Sequence, residues 1–160
     1  MADLPLKPAN FARILVAIDG SKFAEKAGAT ASALAQRYSA ELVILYVARY
    51  PPNALGRGST HTVAVGLPIS DPVIDKEKKN ATDSMHRVAI FAKKFGVETD
   101  EQIIDTSSSI VDVICDFAYR NEVDLIVLGT RGLNTFKSSS LGSISDGVAD
   151  HATCAVMVVK

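Results

Sequence analysis

The sequence has almost no net charge, no long hydrophobic run and no signal-like start, and each of these shortages excludes a class of protein. Its 160 residues carry a formal net charge of −1, which gives no reason to expect a nucleic-acid-binding surface. The apolar runs are far shorter than the roughly 20 residues that a membrane helix needs. The N-terminal stretch MADLPLKPANFA has an acid and two prolines where a signal peptide has an apolar core. We therefore expect a cytoplasmic protein with no nucleic-acid and no membrane partner.

Cysteine and histidine are also scarce. Cys115 and Cys154 fall inside apolar segments without metal-ligand spacing, and the three histidines are scattered along the chain. We therefore predict two buried free thiols and no metal site built from protein side chains.

The sequence does contain short apolar runs that alternate with helix-like segments. Runs such as ARILVAI (12–18) and LIVL (125–128) are continuously apolar, as expected of parallel strands covered on both faces. This alternation predicts an α/β fold, a Rossmann-like three-layer sandwich with a five-stranded parallel sheet. The predicted strands are 12–18, 41–47, 97–105, 124–128 and 154–159, with 97–105 at a sheet edge.

Capping residues and helical spacing place a helix between each pair of strands. Ser21 is a suitable N-cap for a helix over 22–38. The other signals are Asp71-Pro72 at the start and Gly96 at the end of the second helix, Ser107 to Ser109 before the third, and an inward stripe of Ile144, Val148 and Ala152 on the last.

Residues 49–70 interrupt this alternation. They include three prolines and three glycines and show no clear period. A structureless stretch of this length is uncommon inside a compact domain. We predict a flexible loop at about 49–70 within one domain that spans residues 1–160.

The stretch GTRGLNTFKSSSLGSIS (129–145) directly follows the fourth predicted strand. In an open α/β sheet, ligands bind outside the carboxyl ends of the strands. Gly129 and Gly132 give the backbone unusual torsions and room for a flat group. Gly142-Ser143 opens the last helix, whose free N–H groups favour an anion, and Ser143 and Ser145 add hydroxyl donors. The pattern indicates an anion or mononucleotide site.

A second interpretation stays open at this point, in which the same glycines only shape a turn and begin a helix. The stretch is not a Walker A loop, because no GxxxxGK[ST] occurs in the chain, and no GxGxxG follows the first strand. A flavodoxin-like electron carrier shares the fold type. It would need a Ser/Thr-rich loop after the first strand and aromatic residues near a flavin, and the chain has no tryptophan.

The chain resembles the universal stress protein family from ILVAIDGS (14–21) to CAVMVV (154–159). The family's ATP-binding motif is Gly-x2-Gly-x9-Gly-Ser/Thr, and Gly129, Gly132, Gly142 and Ser143 fit it at every spacing. The sequence is therefore similar to the ATP-binding branch, and the resemblance implies an adenine-nucleotide-binding type of fold. Tyr46 is a departure, since many relatives have histidine before the valine that ends the second strand.

The resemblance implies a role for each residue at the predicted site. Asp19 would lie beside the ribose and base, although it is also a plausible turn former, and Val47 would lie against adenine or simply pack in the core. The complete predicted nucleotide-binding set is Ala17, Asp19, Val47, Leu128, Gly129, Gly132, Gly142, Ser143, Ile144 and Ser145. The implied ligand is ATP, with AMP or ADP as alternatives, together with Mg²⁺ or Mn²⁺.

Two functions are compatible with such a site. One is a stress-response module whose nucleotide occupancy regulates an unknown protein partner, and the other is a slow ATP hydrolase or phosphoryl-transfer enzyme. Hydrolysis needs a group that positions water at the γ-phosphate, and none stands out, because Asp146 and Asp150 are expected on the solvated face of the last helix. The first function is favoured. The resemblance also implies a homodimer that pairs through strand 154–159, which would otherwise be an exposed apolar edge.

Replacing Gly132 with valine tests the glycine motif. We expect the variant to lose ATP binding because a β-branched side chain would fill the space of the phosphate loop, while its circular dichroism spectrum stays that of the wild type. The measurement is an ATP titration of both proteins. Retained affinity would contradict the motif's assignment to the phosphates.

Overall fold

The computed structural model describes residues 10–50, 72–130 and 141–160, with the side chains of 72–74 left out. Strands and helices alternate through the described part of the chain, as the sequence predicts. The strands are β1 (Arg13–Ile18), β2 (Glu41–Arg49), β3 (Thr99–Thr106), β4 (Leu125–Gly129) and β5 (Ala155–Val159). The helices are α1 (Lys22–Tyr38), α2 (Pro72–Lys94), α3 (Ile110–Arg120) and α4 (Ser143–His151).

The five strands form one parallel sheet in the order β3-β2-β1-β4-β5. Ile14 of β1 pairs with Leu42 of β2 on one side and with Leu125 of β4 on the other. The predicted parallel sheet is confirmed, and β3 occupies an edge as expected. The chain runs outward from β1 through β2 to β3 and then returns to β4 on the opposite side of β1. This reversal creates a crevice at the carboxyl ends of β1 and β4, where open α/β sheets bind ligands.

Helices cover both faces of the sheet and make the fold a three-layer sandwich. Ile14, Val16 and Ile18 of β1 pack in a buried cluster with α1 and α2. Leu15 and Ala17 point to the other face and pack in a second cluster with α3 and α4. Because residues 14–18 of β1 are buried on both faces, that stretch is continuously apolar rather than alternating.

Helices α1 and α3 begin with side-chain caps. Ser21 precedes α1, and its hydroxyl accepts a hydrogen bond from the N–H of Ala24 at 3.1 Å. Ser109 does the same for α3, accepting from the N–H of Asp112 at 3.4 Å. Both caps match the prediction. Helix α2 begins at Pro72 as predicted, and Asp71 lies outside the described residues.

The predicted loop boundary at residue 49 is wrong. Arg49 is the last residue of β2, where it pairs with Thr106 of β3. Tyr50 is buried, and its N–H donates to the carbonyl oxygen of Thr106 at 2.9 Å. Pairing with β3 therefore extends β2 two residues beyond the prediction of 41–47. Residues 51–70 of the predicted loop lie outside the described part of the chain.

The two cysteines and the lengths of the helices bear on two further predictions. The two cysteines are free thiols, but both are half-buried rather than buried as predicted, because they pack at the rim of the second cluster. No helix within the described ranges is long and apolar enough to cross a membrane.

Helices α1 and α2 approach each other closely at Gly28. A β-carbon built on Gly28 would lie 2.6 and 2.7 Å from the two methyl groups of Val88, which is itself buried. These distances are below any normal carbon contact, so only glycine fits without movement of α2. The contact matters for the crevice because it holds α2 against α1.

Gly28→Ala should lower the free energy of unfolding by about 1–3 kcal/mol through overpacking, despite the better helix propensity of alanine. Urea unfolding followed by circular dichroism measures this change. The double variant Gly28→Ala/Val88→Ala should lose less unfolding free energy than the two single variants lose in sum. The reason is that Val88→Ala removes the methyl groups that the new β-carbon would contact. A Gly28→Ala variant more stable than the wild type would contradict the close approach.

Candidate functional site

A cleft of about 410 Å³ opens at the carboxyl ends of β1, β2 and β4. Its volume is in the usual range for small-molecule sites, and its walls are largely apolar. Nine of the ten predicted site residues line it: Ala17, Asp19, Val47, Leu128, Gly129, Gly142, Ser143, Ile144 and Ser145. The tenth, Gly132, lies outside the described residues, as do Arg131 and Lys137.

The start of α4 forms one end of the cleft. Gly142 is its N-cap residue and supplies no side-chain hydrogen bond to the first N–H groups of the helix, which makes this helix start a suitable place for an anion. The N–H of Gly142 donates to the carbonyl oxygen of Thr130 at 2.7 Å, and the N–H of Thr130 donates to Val159 of β5 at 3.0 Å. These bonds fix the start of α4 beside the end of β4. An anion at this end would meet the positive end of the helix dipole.

Ser145 stabilises this end of the cleft through hydrogen bonds to the backbone. Its side chain is buried, and its hydroxyl oxygen lies 3.0 Å from the carbonyl oxygens of both Thr130 and Gly142. The hydroxyl proton is therefore directed at backbone acceptors in this structure, whereas the sequence predicts that it donates to phosphate. Ser143 differs, because it is exposed at the cleft and remains the hydroxyl best placed to meet a ligand.

Ile144 was expected to face the core, and that expectation is wrong. The side chain is 37% exposed and lines the cleft, while Val148 one turn later is fully buried. Residue 144 sits in the first turn of α4, which projects past the edge of the sheet toward the cleft. Its expected place in the nucleotide-binding set is compatible with this position.

Gly129 lines the cleft for a reason that the sequence did not reveal. The described glycines with positive φ are Gly20 and Gly96, so the unusual torsion predicted for Gly129 is not found. A β-carbon on Gly129 would instead lie 2.7–2.8 Å from the backbone and β-carbon of Phe23 in the first turn of α1. Glycine is needed because helix α1 packs directly on the end of β4.

Asp19 occupies the centre of the crevice, directly after β1. Its carboxylate oxygen Oδ1 accepts a hydrogen bond from the N–H of Ser21 at 3.0 Å, so the turn-forming role is confirmed. The same side chain lines the cleft. The two interpretations of Asp19 are therefore compatible: the turn orients a carboxylate that also faces the site.

The other end of the cleft contains a polar pair that the sequence analysis missed. The hydroxyl of Tyr46 donates to Glu77 Oε1 at 2.8 Å, and both residues line the cleft. Burial, the bond to Glu77 and the negative charges of Glu77 and Asp19 all raise the pKa of Tyr46 far above its ordinary value. The hydroxyl therefore stays protonated and keeps donating. In the sequence, Tyr46 stands out only as a departure from histidine, and no motif points to Glu77.

Apolar side chains that were not predicted complete the walls. Ile18, Ala24, Leu45, Ile110 and Ile114 line the cleft beside Val47, which is half-buried and packs against the second core cluster. Among the residues that the structure describes, no group of three or more His, Cys, Asp or Glu side chains is arranged to hold a metal ion.

Sequence and structure comparisons identify the family. Residues 10–160 match the universal stress protein family. The chain is 34% identical over 152 residues to universal stress protein YxiE of Bacillus subtilis strain 168, covering 94% of this chain and 99% of that protein. It is similar in structure to universal stress protein UspA from Lactobacillus plantarum, with a TM-score of 0.75, 31% identity, and coverage of 96% and 100%. The chain belongs to the universal stress protein family.

More distant structures share the fold and hold adenine nucleotides. One is the universal stress protein from Archaeoglobus fulgidus in complex with dAMP, with a TM-score of 0.68 and 22% identity over 94% of this chain and 99% of that one. Another is a family protein from Arabidopsis thaliana with AMP bound, with a TM-score of 0.64 and 18% identity over 93% and 91%. A third is a universal stress protein in complex with cAMP, with a TM-score of 0.70 and 22% identity over 94% and 98%.

The raised pKa of Tyr46 predicts how stability changes in alkaline solution. Above the ordinary tyrosine pKa of about 10, the unfolded chain releases this proton while the folded protein retains it. The stabilisation is therefore complete below pH 10 and is lost as the pH rises beyond it. Between pH 10 and 11 the wild type should lose up to about 1.4 kcal/mol more unfolding free energy than Tyr46→Phe does. Urea unfolding at each pH measures the difference. Tyr38→Phe, which removes an exposed hydroxyl outside the cleft, is the matched control, and parallel losses in wild type and Tyr46→Phe would contradict the prediction.

Proposed function

We propose that this protein binds ATP in the cleft at the carboxyl ends of β1, β2 and β4, and that nucleotide occupancy regulates its interaction with a protein partner in the stress response. The observation that carries the proposal is the convergence of nine separately predicted residues on one cleft. AMP and ADP are alternative ligands for the same site.

The chemistry of the cleft changes across the sheet in an order that fits a nucleotide. Neighbouring strands lie about 4.8 Å apart, so β4 and β2, with β1 between them, are separated by roughly 10 Å. The open start of α4 lies at the β4 end, the Asp19 carboxylate lies at β1, and Val47 with Tyr46 lies at the β2 end. Phosphate, ribose and base would meet an anion site, a hydrogen-bond acceptor and a mainly apolar wall in that order.

Charge supports the same orientation. Phosphate oxygens are favoured by the positive end of α4 and disfavoured by carboxylates. Among the described residues that line the cleft, the two carboxylates are Asp19 and Glu77, and both lie toward β1 and β2. The adenine nucleotides held by the dAMP, AMP and cAMP complexes of related folds support an adenine nucleotide here as well. Mg²⁺ or Mn²⁺ would be bound chiefly by the phosphates, as expected for a hard cation at such a site.

The same arrangement favours a protein that binds nucleotide without hydrolysing it over an ATP hydrolase. Hydrolysis requires a group that positions water at the γ-phosphate. The carboxylates in the described part of the cleft, Asp19 and Glu77, lie toward β1 and β2 rather than at the start of α4, and Asp146 and Asp150 of α4 are exposed and do not line it. A cytoplasmic location and a homodimer through the β5 edge complete the proposal. The position of β5 at the sheet edge supports the dimer, since its free side can pair with a second copy.

Mass analysis of nucleotide released by denaturing the freshly purified protein tests the binding function. We expect ATP, ADP or AMP, and an ATP to ADP ratio that stays constant for hours with Mg²⁺ if the protein binds nucleotide without hydrolysing it. A falling ratio would instead identify the hydrolase. No released adenine nucleotide, together with no binding on titration to millimolar ATP, would overturn the proposed function.

Ser143→Asp tests the assignment of the phosphates to α4. An acid in the first turn stabilises a helix, so the melting temperature should be unchanged or slightly raised. Its charge would repel the phosphates, and ATP affinity should fall about tenfold or more while adenosine affinity changes little. Calorimetric titration measures both, with Ser143→Asn as the uncharged control of the same shape. Equal losses for ATP and adenosine would place the phosphates elsewhere.

A further inference from the structure

The hydrogen bond between Tyr46 and Glu77 is a polar feature of the cleft to which nucleotide binding, as proposed above, assigns no role. Tyr46 comes from the end of β2 and Glu77 from α2, and the 2.8 Å bond between them closes the cleft on the side of α1 and α2. Tyr46 is 4% exposed, so packing around its ring fixes the position of its hydroxyl at the cleft. Glu77 is half-buried and borders the cleft. A fixed donor thus orients a carboxylate at the rim of the nucleoside end.

A carboxylate has more accepting capacity than one hydroxyl uses. It offers about four lone-pair positions on two oxygens, and the Tyr46 bond takes one position on Oε1. Arg49 is the cation that lines the described part of this cleft, and it is exposed at the end of β2. No ion pair joins Arg49 to Glu77 among the described residues. Glu77 therefore presents acceptor oxygens toward the end of the cleft where the base would lie.

We propose that Glu77, positioned by Tyr46, accepts a hydrogen bond from the exocyclic amino group of the base and thereby selects 6-aminopurine over 6-oxopurine nucleotides. This inference rests on the proposed function, because it assumes that the base lies at the β2 end of the cleft. Adenine carries an N–H donor pair at position 6, which a carboxylate accepts. Hypoxanthine carries a carbonyl oxygen there, and two acceptors placed face to face repel each other and leave the carbonyl without a donor at this position.

Tyr46 acts as a positioning residue in this arrangement. Its hydroxyl is anchored by burial and stays protonated, so it donates to Glu77 whether or not a ligand is bound. Removing the hydroxyl would leave the charge of Glu77 unchanged but would remove the hydrogen bond that orients its carboxylate. The effect expected of Tyr46→Phe is therefore a weaker discrimination between bases rather than a loss of binding, and a purely structural role would not change that discrimination.

Calorimetric titration with ATP and ITP tests the inference. The two nucleotides differ only at the purine ring and share ribose, phosphates and charge. A hydrogen bond to a charged acceptor predicts that the wild type binds ATP about 10- to 100-fold more tightly than ITP. In Glu77→Gln the amide can accept from adenine or donate to hypoxanthine, so the ratio should fall to within about threefold. Tyr46→Phe should give an intermediate ratio.

Glu101→Gln is the matched control. It makes the same chemical change at an exposed position on β3 that does not line the cleft, and it should retain the ATP to ITP ratio of the wild type. Equal affinity of the wild type for ATP and ITP, or a wild-type ratio in Glu77→Gln, would overturn the inference and leave the proposed function intact. Failure of the wild type to bind either nucleotide would overturn both.

Discussion

Strand β1 is hydrogen-bonded to β2 on one side and to β4 on the other, and the position of the cleft depends on this double pairing. Asp124, one residue before β4, reinforces it. Its carboxylate oxygen Oδ2 accepts from the N–H groups of Ala12 and Arg13, both at 2.8 Å, while its own N–H donates to the carbonyl of Arg13. Because the two strands start together and run parallel, the residues that follow them, Asp19 and Thr130, lie at the same edge of the sheet.

The α4 end of the cleft, where we propose that the phosphates bind, is held by hydrogen bonds that do not require a ligand. The carbonyl of Thr130 accepts from the N–H of Gly142 and lies within bonding distance of the Ser145 hydroxyl, and Thr130 is itself bonded to β5. Close packing of Phe23 against Gly129 fixes the adjoining start of α1. The backbone donors of α4 are therefore already in place, so little ordering would be needed when an anion binds.

The β2 end of the cleft, where we propose that the nucleoside lies, is organised by side chains rather than by backbone. Tyr46 and Glu77 form a hydrogen-bonded pair, and Asp19 lies between them and α4 along the sheet order. The resulting separation of negative side chains from a positive helix end gives the cleft a direction. That direction connects the proposed nucleotide orientation to the inferred choice of base, since a reversed ligand would place its phosphates against two carboxylates.

The sequence by itself determined the elements and most of the site. Continuous apolar runs marked buried parallel strands, Ser21 and Ser109 marked helix starts, and the spacing of Gly129, Gly142 and Ser143 marked residues that do share one cleft. These signals are local, because periodicity and capping act within one element. Only the tertiary structure decided the pairing of Tyr46 with Glu77, which are 31 residues apart, and the contact that makes Gly129 necessary. Each contact joins a strand to a helix that is distant in the sequence: Tyr46 of β2 to Glu77 of α2, and Gly129 of β4 to Phe23 of α1. The packing of the helices on the sheet decides these contacts, and neither segment shows it in its own sequence.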